Sequence, residues 1–353
     1  MSDRTLTVRV SRILRMTAEV SAFELVHPWG RTLPGYRAGA HIDVFLPGGF
    51  MRQYSLALAE QTEQTKQKAP GASGSNGGHV GQGGHGCTRY VIGVKREPES
   101  RGGSASLHER VHEGDLLAVS APRDTFALAA QARHHLLLAG GIGLTPLLAM
   151  AQQLRRDDGA FTLCVFARSR AHLAFAHALT ALGPNVRLHF DEPESGPRAQ
   201  QLDITDLLAR AEPGTHLYLC GPGGFMKAVL AAAAHWPEDH VHLEYFAPPE
   251  AAGGGSGNSS DEPFTLVLAG QGIEVPVAAD QSAVEALHDL GIAVPTSCSQ
   301  GMCGTCVVPL APGARSEPDH RDHCLTATER AHKVALCCSR AKPGGQLVVE
   351  LLA

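Results

Sequence analysis

Cys298, Cys303 and Cys306 stand in a Cys-x4-Cys-x2-Cys loop, and the adjacent pair Cys337 and Cys338 follows further along the chain. A segment that bends three thiolates around one centre and receives a fourth from a distant stretch has few folds open to it. The spacing is that of plant-type 2Fe-2S sites. Zinc ribbons split their ligands two and two, whereas here the split is three and one. The intervening residues, Ser297, Ser299, Gly301, Met302, Gly304 and Thr305, are mostly small. Little bulk lets backbone N–H donors approach bridging sulfides. Spacing leaves open which of Cys337 and Cys338 is the fourth ligand. Such a cluster passes one electron at a time, so the chain is expected to handle electrons.

The rest of the composition narrows the class. A chain of 353 residues has room for two or three domains. A formal charge of -5 gives no basic surface at the level of the whole chain, so nucleic acid is not an expected partner. No apolar run approaches ~20 residues and Met1 to Val10 holds no signal-like apolar core, so no membrane association and a cytoplasmic location are expected. Nine cysteines, an odd number spread along the chain, argue against a disulfide framework. Cys87, Cys164, Cys220 and Cys324 read mostly as small apolar residues. The 19 histidines offer no convincing ligand pair on a helix and read mostly as surface residues.

Along the chain, Gln61 to Gly86 is rich in Gln, Gly and Ser and is expected to be a mobile insertion. Pro248 to Pro263, with its Gly253 to Gly257 run, reads as a flexible tether. From Leu6 to Pro122, short strands between Gly and Pro turns (Leu6 to Arg12, Ala18 to Val26, His41 to Leu46, Gln53 to Leu58, Tyr90 to Lys95, Leu116 to Ser120) predict an antiparallel β-barrel. From His134, strands at His135 to Ala139, Thr162 to Ala167, Val186 to Phe190, His216 to Cys220 and His240 to Tyr245 alternate with helices such as Pro146 to Arg155 and Gly224 to His235. That rhythm predicts an α/β parallel sheet. Past the tether come a hairpin, Phe264 to Ala269 with Ile273 to Ala278, a helix capped by Ser282 and Glu285, and a closing strand, Gln346 to Leu351. The expected domains are 1–128, 129–247 and 264–353, joined by a linker at 248–263.

Two glycine turns sit where nucleotides bind. Gly140-Gly141-Ile142-Gly143-Leu144-Thr145-Pro146 follows one parallel strand and Cys220-Gly221-Pro222-Gly223-Gly224 follows another, each opening a helix. Such turns let a pyrophosphate approach backbone N–H groups and a helix N-terminus. The first departs from Gly-x-Gly-x-x-Gly, since Pro146 occupies the place of the third glycine. In the barrel region, Arg52-Gln53-Tyr54-Ser55-Leu56 puts Arg52 and Tyr54 on one strand face and Ser55 on the other. Arg101-Gly102-Gly103-Ser104 before a short helix, Ala105 to His112, is suited to a single phosphate.

These motifs, in this order, together with Val94-Lys95-Arg96, His242-Leu243-Glu244-Tyr245-Phe246, Asp319-His320-Arg321-Asp322 and Cys337-Cys338-Ser339-Arg340-Ala341, give the chain its resemblance to a family. It resembles the phthalate dioxygenase reductase and vanillate demethylase reductase group of the ferredoxin-NADP reductase superfamily. The resemblance spans nearly all of the chain except the insertion and the tether. It implies a multidomain architecture of a flavin-binding antiparallel β-barrel, an α/β nucleotide domain and an α+β β-grasp ferredoxin domain, holding FMN, NADH and a 2Fe-2S cluster in turn. Carried over, Arg52, Tyr54 and Ser55 contact the flavin ring and ribityl chain, Val94 and Lys95 add ring and phosphate contacts, and Gly103 and Ser104 hold the FMN phosphate. Gly141, Gly143 and Thr145 lie along the dinucleotide, with Cys220, Gly221 and Pro222 near the nicotinamide, and Phe246 matches an aromatic that packs on the flavin. The Cys-x-Ser-Arg-Ala alignment makes Cys337 the fourth iron ligand after Cys298, Cys303 and Cys306. Arg168-Ser169, ending the second parallel strand, resembles a 2'-phosphate pair and keeps NADPH open beside NADH.

The module order implies a mechanism. NADH gives up two electrons as a hydride, the cluster accepts one, and a flavin between them stores electrons and releases them singly. The acceptor implied by the resemblance is a Rieske-type oxygenase component acting on an aromatic acid or similar compound. Two other readings stay open: an FAD-containing reductase with a fused ferredoxin serving another redox protein, and a non-enzymatic iron-sulfur sensor. Oligomeric state is open too, a monomer included.

Overall fold

Short alternating segments in the first part of the chain pair into one sheet in the computed structural model. The strands are β1 (Thr5–Arg15), β2 (Val20–Val26), β3 (His41–Leu46), β4 (Phe50–Ser55), β5 (Arg89–Lys95) and β6 (Leu116–Ser120), with helix α1 (Gly103–Arg110) between the last two. Their order is β4-β3-β6-β1-β2-β5, every neighbour antiparallel. An isolated bridge, Leu56 to Ile92, and a hydrogen bond from Ala57 N–H to the Val91 carbonyl at 2.8 Å join the two ends and nearly close a barrel. This corrects the expected strand Gln53 to Leu58. The strand runs Phe50–Ser55 against β3, and at Leu56 the chain changes partner to β5. Inside, Val8, Val10, Phe23, Ile42, Val44, Leu56, Ile92 and Val119 are fully buried.

The structure describes residues 5–48, 50–58, 86–98, 102–192, 201–246, 261–296, 299–301, 304–313, 316–342 and 345–351. The expected insertion, apart from Gly86, and the tether as far as Ser260 lie outside the described residues, as do Arg101, Cys298 and Cys303.

The second motif is a parallel sheet of β7 (His134–Gly140), β8 (Phe161–Ala167), β9 (Val186–Phe190), β10 (Thr215–Cys220) and β11 (Val241–Glu244), in the order β11-β10-β7-β8-β9. Helices α2 (Leu144–Arg156), α3 (Ala176–Ala181), α4 (Ile204–Leu208) and α5 (Gly223–Ala232) connect the strands. Strand order reverses between β7 and β10, the switch point where ligands bind in open sheets. Barrel and parallel sheet share a core: Val20, Ala22, Ala38, Ala57, Val91 and Phe126 pack with Leu137, Leu144, Leu148 and Phe175. They accordingly form one compact unit, Met1–Glu244, with Tyr245–Ala353 as a second. Not all histidines are on the surface. His41, His135 and His216 are buried. His216 and His242 meet at 2.9 Å between ring nitrogens, while His240 stacks on His216 and Tyr218 on His242. Burial and neighbouring rings push His242 down to about 4, so its ring is neutral near pH 7.

In the second unit, β12 (Phe264–Leu268) pairs antiparallel with β13 (Ile273–Val277) and parallel with the closing strand β18 (Gln346–Val349). Between them run α6 (Ala283–Asp289), β14 (Val307–Pro309), β15 (Pro318–Asp319), α7 (Ala327–Arg330), β16 (Lys333–Ala335) and β17 (Arg340–Ala341). The Ser282–Glu285 capping box is present. A second box, Thr326–Glu329, opens α7 by the same chemistry and escaped the sequence reading. Arg340 is buried and donates to the carbonyls of Gln281, Glu262 and Ala278 while lying over the Phe264 ring, so its charge is spread over backbone and aromatic partners. Among the described residues no helix is long and apolar enough to cross a membrane.

Candidate functional site

On the barrel, strand alternation sends Arg52 and Tyr54 to one face of β4, opposite Val44 and Ile42, and buries Ser55 on the other. The Arg52 side chain crosses α1 so closely that a Cβ on Gly103 would lie 2.7 Å from Nε. Gly102, the N-cap, has φ +91°, a backbone that suits glycine, and lends no side chain to the first turn. No acid stands in that turn. The N-terminal turn of α1 and the nearby guanidinium together fit a phosphate, which is what the Gly103 and Ser104 expectation requires. Tyr54 is half-buried, and desolvation raises its phenol well above the ordinary range, so it stays a neutral hydrogen-bonding ring. Lys95 pairs with Glu97 at 3.0 Å. Val94 turns its side chain into the barrel core, so only its backbone faces outward.

The two glycine turns come together. β7 and β10 are parallel neighbours that pair Leu138 with Leu219 and Ala139 with Cys220, and each ends in its turn. Gly143 lies on the Cys220–Gly221 peptide: a Cβ there would stand 2.6 Å from the Gly221 nitrogen. Gly221 in turn approaches Gly140, with 3.0 Å between a Cβ on the former and the Cα of the latter. Gly141 has φ +53° and open space around it. Thr145 is buried, its hydroxyl donating to the Ile142 carbonyl at 3.1 Å and its methyl lying against Gly93 of β5. These bare backbones at a switch point fit a dinucleotide pyrophosphate.

Beside this meeting point is a residue that the sequence reading did not single out. Glu244 ends β11 in register with Cys220 and accepts a hydrogen bond from the Ser55 hydroxyl of the barrel at 2.9 Å. Burial pushes its carboxyl up to about 7, although the Ser55 bond works the other way. The Cys220 thiol is pushed well above its usual value by burial and by the Glu244 charge, so it is a thiol. A carboxyl able to hold or release a proton near neutrality thus stands between the two glycine turns and the Tyr54–Ser55 strand. The only early signal was the His242-Leu243-Glu244-Tyr245-Phe246 string. Phe246 belongs to the second unit and is 45% exposed.

In the second unit, Cys306 and Cys337 are buried with Cys338 and Ala335. Gly301, at φ +72°, donates its N–H to the Cys337 sulfur at 3.2 Å. Such donors favour a thiolate and suit a cluster ligand. Cys338 sits instead under Gly301, 2.5 Å from where a Cβ would be, and its sulfur faces the Ala335 carbonyl. The donor set of soft thiols with a backbone N–H donor fits an iron-sulfur group.

Residues 266–342 match the family described as the 2Fe-2S iron-sulfur cluster binding domain. Residues 119–242 match the N-terminal domain of the dimethylamine monooxygenase subunit DmmA-like family. Over 98% of its length the chain is 40% identical to a vanillate O-demethylase oxidoreductase of Pseudomonas sp. (strain HR199 / DSM 7063), covering 99% of that protein. The chain belongs to the oxygenase reductase family. A second such reductase, the tert-butanol monooxygenase / tert-amyl alcohol desaturase reductase subunit of Aquincola tertiaricarbonis, is 39% identical, with 98% of this chain and 96% of that one covered. The solved phthalate dioxygenase reductase, described as a modular structure for electron transfer from pyridine nucleotides to [2Fe-2S], superposes with a TM-score of 0.67 at 33% identity, covering 98% of both chains. As an oxygenase reductase the chain is an oxidoreductase, and the expected barrel, parallel sheet and ferredoxin fold are those of its family.

Proposed function

We propose that this oxygenase reductase takes electrons from NADH and passes them through FMN and a 2Fe-2S cluster to a Rieske-type oxygenase component, in the cytoplasm. The observation that carries it is the meeting of the Gly143 and Cys220–Gly221 backbones at the switch point, next to a barrel strand bearing Arg52, Tyr54 and Ser55. Residues 1–128 are the flavin domain, 129–247 the nucleotide domain and 264–353 the cluster domain, linked by 248–263. When bound, the flavin supplies the conversion of hydride chemistry into single-electron transfer.

This chain's residues position and hold. Arg52, Gly103 and Ser104 bind the flavin phosphate, and Tyr54, Ser55 and the backbone of Val94 and Lys95 frame the ring side. Gly141, Gly143 and Thr145 orient the dinucleotide, and Cys220, Gly221 and Pro222 border its nicotinamide. Glu244 holds a proton at its carboxyl, bonded to the Ser55 hydroxyl. Phe246 packs on the flavin, and Cys298, Cys303, Cys306 and Cys337 hold the cluster. The names of the relatives, reductases of vanillate, tert-butanol and phthalate oxygenase systems, support an oxygenase as the acceptor.

Anaerobic titration of the purified protein with NADH, with NADPH in parallel, tests the proposal by absorption and EPR. Flavin bleaching with a rhombic reduced 2Fe-2S signal is expected. A protein without flavin, or a flavin that NADH leaves oxidised, overturns it.

A further inference from the structure

Arg168 is the first residue past β8, at the same C-terminal edge of the sheet as the two glycine turns. In open parallel sheets the residue at this place meets the adenosine ribose, an acid suiting a bare 2'-hydroxyl and an arginine a 2'-phosphate. Taken alone, Arg168 would favour NADPH. The fold brings a second residue to it from far away in the chain. Glu19, in the turn between β1 and β2 of the barrel, places both carboxylate oxygens 3.0 Å from Nη2 of Arg168, across 149 positions.

Backbone contacts fix both ends of the pair. Arg96 N–H donates to the Glu19 carbonyl at 2.7 Å, and Glu192 N–H donates to the Arg168 carbonyl at 2.9 Å. The neighbouring groups are occupied as well. The Ser169 hydroxyl meets His172 Nδ1 at 2.8 Å, the Arg170 guanidinium lies 5.3 Å over the Phe190 ring, and Lys95 is paired with Glu97.

We propose that Glu19 is a specificity-determining residue: by pairing with Arg168 it neutralises the guanidinium that a 2'-phosphate needs and repels that phosphate, so the site takes NADH in preference to NADPH. The inference rests on the dinucleotide reading above. Arg168 and Glu19 side chains are 56% and 38% exposed, so water screens the pair. An exposed charge contact of this kind changes an equilibrium constant by about two- to fivefold. Glu19 acts twice, by occupying the arginine and by repelling the phosphate, and the combined discrimination is about tenfold.

The test uses the full-length holoprotein with Glu19→Gln, Arg168→Gln and the double variant. Calorimetry gives the affinities of adenosine 2',5'-bisphosphate and 5'-AMP, and anaerobic stopped flow gives flavin reduction by NADPH and by NADH. Among the described residues the Glu19 carboxylate bonds only through this pair, and its turn is held by backbone and Thr17, so E19Q keeps the fold. Expected is a five- to tenfold rise in the bisphosphate-to-AMP affinity ratio in E19Q, a parallel rise in the NADPH-to-NADH rate ratio, and loss of the larger part of both gains when Arg168→Gln is added, the remainder being the relieved repulsion. An E19Q ratio equal to wild type, or a gain that Arg168→Gln leaves undiminished, overturns the inference. Wild-type flavin reduction by NADH checks the underlying reading separately: if NADH reduces the flavin while E19Q leaves the ratios unmoved, only the role of Glu19 falls.

Discussion

Gly143→Ala isolates the contact between the two glycine turns. Gly143 has φ -59° and ψ -4°, a backbone that alanine accepts without strain, so the whole effect of the methyl is steric. The added carbon would stand 2.6 Å from the Gly221 nitrogen and closer still to the Cys220 carbonyl. Ordinary contact begins near 3.4 Å and the nearest atom, the Cys220 carbonyl oxygen, would lie at 2.3 Å, so one turn must retreat by about 1.1 Å, and the obstacle is backbone rather than a side-chain tip. Overpacking of this kind costs about 1–3 kcal/mol. In a unit the size of Met1–Glu244 that lowers Tm by roughly 2–12 °C. Because a displacement of about 1 Å in a positioned site costs on the order of 100-fold in rate, flavin reduction by NADH falls by a comparable factor. Two controls separate causes. Gly141→Ala meets no atom but has φ +53°, so it costs about 1 kcal/mol through the backbone alone. Gly223→Ala meets nothing and lies at the start of α5, so its stability stays within about 0.5 kcal/mol of wild type. Differential scanning fluorimetry and anaerobic stopped flow read both quantities. A G143A protein that melts and accepts hydride like wild type would refute the claim that the turns meet.

Arg52→Ala removes the guanidinium over Gly103, and FMN retained through gel filtration is expected to fall, with Kd rising about tenfold as one charged phosphate contact is lost; unchanged retention would place the phosphate elsewhere. Cys337→Ser is expected to abolish the visible absorption and EPR signal of the cluster while Cys338→Ser keeps both, and iron analysis showing the reverse would exchange the two roles. Glu244 has a folded pKa near 7, raised above its ordinary value of 4.5, so the folded chain binds more protons than the unfolded one between those values. Stability therefore declines as pH rises from about 4.5 to 7 and levels off above that. Glu244→Gln removes this decline, so its Tm relative to wild type is expected to climb across the same window. A flat difference would show that Glu244 is ionised throughout.

Local chemistry was readable and distant pairing was not. The Ser282–Glu285 box, the glycine turns and the helices after them follow from residues within a few positions of each other. The Thr326–Glu329 box has the same signature and could have been read in the same way. The end of β4 could not, because Leu56 leaves β3 for Ile92 only when the barrel closes. Glu244 looks like an ordinary strand acid until β11 falls into register with Cys220 and the barrel presents Ser55, 189 positions away. Arg168 suggests one nucleotide by itself and the opposite once Glu19 is folded against it. The histidines read mostly as surface residues, but parallel pairing puts His216 at the centre of a ring stack.

The stretch Leu33 to Tyr36 clasps the barrel on both sides of its longest interruption. The Tyr36 hydroxyl donates to the Leu58 carbonyl. Leu33 exchanges backbone hydrogen bonds with Cys87, and Pro34 accepts from the Tyr90 hydroxyl at 2.7 Å. Gly86 fits there because a Cβ would collide with Thr32. Leu58 and Cys87 are thus moored to the same short stretch, and joining two fixed points through a longer flexible segment costs only about 0.6 kcal/mol per doubling of its length. The strands on either side, β4 and β5, are therefore held in place by Leu33, Pro34 and Tyr36 whatever the length of chain that joins Leu58 to Gly86.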